Sequence, residues 1–153
     1  MFSQTTQYAI RAVVILSYLR QTGPAGNLLL AEKAKIPPSY LAKVLQGLVK
    51  AGIVESRRGA KGGFSLLRDP DEITLLDVVN AVEPIHRIKG CPLGLETHAE
   101  MLCPVHARID QAMAEVEAVL SSATIAELTS DPKRPPALVE TWGRLREMQS
   151  KVR

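Results

Sequence analysis

Tyr8, Ala9, Ala12, Val13, Leu16 and Leu19 recur at steps of one, three and four residues. That spacing gathers side chains on one stripe, so an amphipathic helix is predicted over Thr5–Arg20. The turn-forming run from Gln21 to Asn27 ends it. A short helix is expected over Leu28–Lys35, after which Pro37-Pro38-Ser39 stops and restarts the chain, with Ser39 placed as the N-cap of the next helix, Tyr40–Ala51. In that helix Leu41, Val44, Leu45 and Leu48 share one face, which leaves Ser39, Tyr40, Lys43, Gln46 and Lys50 for the other.

Ile53–Ser56 and Phe64–Leu67 read as short strands. The segment between them, Arg57-Arg58-Gly59-Ala60-Lys61-Gly62-Gly63, is a turn of glycine and positive charge. A helix over Leu75–Val82 follows a Thr74 cap, and Pro84 closes it. From Glu83 to Cys103 no periodicity is sustained. Pro104 then opens a long helix to about Leu120, with Val105, Ile109, Ala112, Met113, Val116 and Leu120 at helical spacing. A short helix over Ile125–Thr129 precedes the proline-rich stretch 131–136, and Ala137–Val152 reads as a terminal helix or a frayed tail.

Charge divides this layout. Residues 1–70 hold ten Lys and Arg against three Asp and Glu, whereas residues 71–153 hold nine against thirteen. A basic first half suits a polyanion, and an acidic second half that the polyanion repels suits assembly or sensing. With 46% apolar and 23% charged residues in 153, one globular domain plus an arm is expected, and no run approaches the length of a membrane span. A cytoplasmic protein without a membrane partner follows as the expectation, and only two cysteines, Cys91 and Cys103, argue against a disulfide-built scaffold.

Three helices followed by a basic hairpin make a winged helix-turn-helix, so the expected fold is mainly α with a small two-stranded wing and a long C-terminal dimerisation helix. The third helix would enter the major groove of double-stranded DNA, offering Ser39, Tyr40, Lys43 and Gln46 to bases or phosphates. In the hairpin, Arg57, Arg58 and Lys61 would supply charge, and Gly59 and Gly62 would let backbone approach phosphates. The expected organisation is a DNA-binding region over 1–83, a loop over 84–103, dimerisation helices over 104–130, and a linker and tail over 131–153.

At these residues the chain resembles the Rrf-two family of bacterial winged-helix transcriptional regulators. The resemblance is carried by Tyr8-Ala9-Ile10-Arg11, by Ser39-Tyr40-Leu41, by Leu48 to Val54, by the wing from Arg57 to Leu66, and by Ile73-Thr74-Leu75 with Ala81-Val82-Glu83. It implies a homodimer joined through the helix that begins at Pro104 and binding an imperfect palindrome. It also implies a sensor in the preceding loop, where cluster-bearing members place three cysteines, sometimes with a histidine just after the third. Here Cys91 and Cys103 occupy the outer positions, His106 the histidine position, Thr97 the middle position with His98 beside it, and Gln7 the place from which some relatives draw a ligand.

A two-iron, two-sulfur cluster on Cys91, Cys103, His106 and His98 is one expectation for the loop. Zinc or thiol redox chemistry at the same residues is a second, and a relative without a working sensor a third. The rival class is a small cytoplasmic metal or redox protein, or an enzyme, using Cys91, Cys103 and His106. The chain offers neither a nucleophile-and-base pair nor a phosphate loop, so no enzymatic activity is expected.

Overall fold

A computed structural model of the chain describes residues 2–59, 61–96, 101–131, 133–135 and 137–138. Helix α1, Gln4–Leu19, starts at Ser3, whose hydroxyl accepts the Thr6 N–H at 3.2 Å. Its burial extends beyond one stripe: Val14, Ile15 and Tyr18 are buried along with Ala9, Ala12, Val13, Leu16 and Leu19. The cause is tertiary, since four other helices pack on α1.

Helix α2, Asn27–Ala34, ends at Lys35 in the left-handed conformation, its N–H bonded to the Ala31 and Glu32 carbonyls. Helix α3, Pro38–Lys50, begins two residues earlier than expected, and the assignment of Ser39 as N-cap is corrected: the cap is Pro37. A proline at the first helical position loses no bond, because that N–H has no intrahelical partner, and the ring already holds the helical φ. The Pro37 carbonyl accepts the Tyr40 and Leu41 N–H groups, each at 3.0 Å. Leu41, Val44, Leu45 and Leu48 are buried as the periodicity requires. At about 1.5–3 kcal/mol each, they outweigh the roughly 1 kcal/mol that a mid-helix glycine costs. That glycine, Gly47, admits the next helix: a Cβ there would lie 3.2 Å from both the Ala81 carbonyl oxygen and Val82 Cγ1.

Strands β1, Val54–Arg57, and β2, Gly63–Leu66, pair antiparallel with Arg57 opposite Gly63 and Val54 opposite Leu66. The hairpin is tied to the body by a bridge between Ala25 and Phe64, whose N–H and C=O groups exchange two bonds of 2.9 Å.

Helix α4, Leu75–Val82, has the Thr74 cap the sequence predicts, with Asp77 returning a bond to the Thr74 N–H. The same capping box recurs in Thr124 and Glu127 at the start of α6, Ile125–Ser130. The two cap residues lie side by side: Leu75 N–H donates to Ala123 and Ile125 N–H to Ile73, both at 2.9 Å. Ile73 and Ile125 are fully buried there, so α6 adds to the core built by α1 to α4. Between them runs α5, Pro104–Ser121, 18 residues long and so about 27 Å. Leu120 is its one buried residue.

Candidate nucleic-acid interface and sensor loop

Ser39, Lys43, Gln46 and Lys50 are all exposed and follow one another by four, three and four residues. They therefore form a polar stripe opposite the buried face of α3. Tyr40 sits at its edge, 39% exposed, with its hydroxyl 3.0 Å from Thr5 Oγ1 and its ring edge-on to Tyr8 at 5.4 Å. Neither helix of the turn has a side-chain cap at its N-terminus, since Gly26 and Pro37 occupy those positions. The two ends are joined by Asn27, whose amide donates to the Pro38 carbonyl at 3.2 Å. Uncapped N–H groups favour anions, and the sequence expectation did not include the start of α2.

In the wing, Arg57 is partly committed: its guanidinium lies 2.8 Å from Glu55 Oε1, which also accepts the Ser65 hydroxyl at 2.9 Å. Those two partners, Ser65 first, hold the Glu55 carboxyl below its ordinary range. Arg58 and Lys61 stand exposed at the tip. The turn folds back on itself through Gly62, whose N–H bonds Gly59 O at 2.9 Å; a Cβ at Gly62 would lie 2.2 Å from the Arg57 carbonyl oxygen. Glycine here is a packing requirement of the tip.

The start of the loop after α4 is fastened to α5. Arg87 grips Asp110 of α5 with two bonds of 2.7 and 2.5 Å, and the Ile88 N–H adds a third at 2.8 Å. Chiefly through Arg87, the Asp110 carboxyl is pulled from an ordinary 3.8 down to about 2, so the clamp stays charged at neutral pH. Cys103 is the N-cap of α5, and its sulfur lies 3.5 Å from His106 Nδ1, one turn along. Both cysteines are half-buried and not joined in a disulfide. His86 is exposed, while His98 and Thr97 lie outside the described residues, as does most of the tail expected over Ala137–Val152.

A sequence profile of the Rrf2 (Rrf-two) family, described as iron-dependent transcriptional regulators, matches residues 2–131. The chain belongs to the Rrf2 family. It is 32% identical over 130 residues to a protein of Aquifex aeolicus (strain VF5) assigned as an HTH-type transcriptional regulator, covering 83% of this chain and 90% of that one. It is 30% identical over 131 residues to the HTH-type transcriptional regulator IscR of Aliivibrio salmonicida, covering 82% and 74%. Among solved structures it resembles CymR of B. subtilis, the global cysteine regulator, with a TM-score of 0.69, 26% identity, and 85% and 96% of the two chains covered. The mainly helical fold with a two-stranded wing is the fold of that Rrf2 structure and of T. potens IscR.

The family's description implies iron, and a two-iron cluster takes four protein donors. Among the described residues, no three Cys, His, Asp or Glu side chains converge as a metal site. Cys103 and His106 are a two-donor fragment and do not by themselves complete such a site. Also among the described residues, no helix is long and apolar enough to cross a membrane.

Proposed function

We propose that this Rrf2 protein is a homodimeric DNA-binding regulator whose loop over 84–103 carries its sensor. The observation that carries the reading is the pairing of the polar stripe of α3, fixed by the buried face of that helix, with a cationic wing tip that the Ala25–Phe64 bridge ties to the same body. Ser39, Lys43 and Gln46 then face base edges, with Tyr40 at the margin, while Arg57, Arg58 and Lys61 and the glycine backbone at 59 and 62 face phosphates. Lys43→Ala is expected to change which sequences are preferred, since one base contact contributes about 1–3 kcal/mol of discrimination. Arg58→Ala or Lys61→Ala is expected to weaken binding to every duplex and lower the slope of log affinity against log salt by about 0.9. Gel shifts at several salt concentrations check this; an unchanged slope removes the wing from the interface.

The dimer rests on a second observation. Val105, Ile109, Ala112, Val116 and Val119 follow one another by four, three, four and three, the seam of a helix that pairs with another helix. In the single chain Val105, Ile109 and Val119 are 66%, 43% and 68% exposed. The seam is nearly symmetric about Ala112, a small residue that lets two copies cross closely on a two-fold axis. An imperfect palindrome is the DNA counterpart of that axis.

The sensor reading rests on the position of the thiol–imidazole pair at the start of the seam helix. A chemical change at Cys91, Cys103 or His106 acts on the loop that links the reading head to α5, and so on the relation between the two heads. Anaerobically purified protein separates the chemistries: a cluster on Cys91, Cys103, His106 and His98 gives visible absorption with about two iron and two sulfide per chain, whereas thiol sensing gives neither. Under either chemistry, DNA affinity is expected to differ at least about fivefold between reduced and oxidised protein, and Cys103→Ala to abolish that difference without dissociating the dimer. Equal affinity in both states means that the loop senses nothing through its thiols.

A further inference from the structure

The first turn of α1 touches both the recognition helix and the residue that leads from α4 into the loop. Thr6, the buried polar residue of the described core, donates its hydroxyl to Glu83 Oε2 at 2.7 Å. Glu83 is the C-cap of α4, directly ahead of the loop, and hydrogen bonds from Ser3 and Thr6 keep its carboxyl below the ordinary range. The neighbouring residue, Thr5, pairs its hydroxyl with that of Tyr40 at 3.0 Å. Tyr8, held by Gln4 at 2.8 Å, presses edge-on against the Tyr40 ring. The helices meet around a cleft of 180 Å³ lined by Thr5, Tyr40, Lys43, Gly47, Ala81 and Val82.

We propose that Tyr40 is a positioning residue, through which the first turn of α1 transmits the placement of Glu83 to the N-terminal end of the recognition helix. The proposal rests on the regulator reading above. The physical argument is that Thr5 and Thr6 are consecutive residues of one rigid turn, with one hydroxyl committed to each side. When the loop draws Glu83 away, the turn either follows it, shifting the Thr5–Tyr40 contact, or loses the Thr6 bond. In both cases the support under the base-reading face changes, and the close approach of Ala81 to Gly47 makes α3 and α4 respond together. Residues that do not touch and share no such element have nearly additive effects, whereas residues linked through one element do not.

The test is a double-mutant cycle with Tyr40→Phe, which keeps the ring, and Glu83→Ala, an exposed change. The probes are a duplex selected from a random pool by the wild-type protein and a duplex of random sequence. Each variant is expected to weaken the selected duplex about three- to tenfold and leave the random one within about twofold, and the double variant to do no worse than the weaker-binding single. Thr5→Val should reproduce Tyr40→Phe, and Thr5→Ser should restore wild-type affinity. Losses that multiply in the double variant overturn the proposal, because they identify Tyr40 as an independent DNA contact or strut. If the wild-type protein selects no duplex, the regulator reading fails separately. Amide exchange over residues 38–46 then decides the relay: a several-fold acceleration in Glu83→Ala supports it, and unchanged exchange overturns it.

Discussion

Ile109→Glu is expected to convert the dimer to a monomer and to lower affinity for a two-half-site duplex by about two to four orders of magnitude. Ile109 lies on the proposed seam, three residues before Ala112, and is 43% exposed in the single chain, so the substitution should leave the fold of one chain intact. In the proposed pair, two carboxylates would replace two apolar side chains next to the two-fold axis, which adds like-charge repulsion to the loss of burial. The loss in DNA binding follows from linkage: once the heads separate, the second half-site no longer sees the first at millimolar effective concentration. Light scattering gives the oligomeric state and a gel shift gives the affinity. Single half-site binding should change little, which distinguishes dissociation from misfolding. A variant that stays dimeric would place the interface elsewhere.

Gly63→Ala should lower both the stability of the protein and the salt dependence of its DNA binding. Gly63 has φ of +149°, and a Cβ there would stand 2.6 Å from the Ala25 carbonyl oxygen and 2.7 Å from its carbon. Both obstacles are backbone, so no side chain can turn aside. Either β2 moves off Ala25 and the two bridge bonds break, or the strained φ persists. The first course costs about 2 kcal/mol, about 1 for each lost bond, and the second about 1–3 kcal/mol for the backbone conformation. The denaturation midpoint should fall accordingly, and the salt slope of DNA binding should drop as the displaced wing loses its phosphates. Gly90→Ala, with nothing within 4 Å of its Cβ, serves as the control and should stay within about 0.5 kcal/mol of wild type. A Gly63→Ala protein with wild-type stability and salt slope would mean that the bridge does not set the wing.

Short-range signals made much of this architecture legible. The alternation of apolar positions in α3, the Thr74 cap, the Pro104 start of α5 and the glycine-rich basic turn each depend on neighbours within a few residues, and each appears where the sequence places it. Ser39 shows the limit of that reasoning. Serine is a good cap, but two prolines ahead of it supply the carbonyl and the φ that start the helix earlier. The proposed seam of α5 shows another limit, because periodicity groups Val105, Ile109, Ala112 and Val116 with Leu120, yet Leu120 is buried within the single chain while Val119 stays exposed. Which face of an amphipathic helix meets its own chain depends on where the chain returns, and the return is fixed by the pairing of Thr74 with Thr124.

By itself, then, the sequence determined the elements, their order, the chemistry of the reading face and the identity of the two cysteines. It did so because helix, strand and turn preferences are local. Only the tertiary structure decided that α1 is buried beyond one stripe, that the wing hangs from Ala25, that Glu83 and Tyr40 meet the same turn, and that Cys103 stands beside His106. Except for the short Cys103–His106 spacing along α5, these are contacts between residues far apart in the chain. Their formation depends on how helices pack in space, which no local pattern encodes.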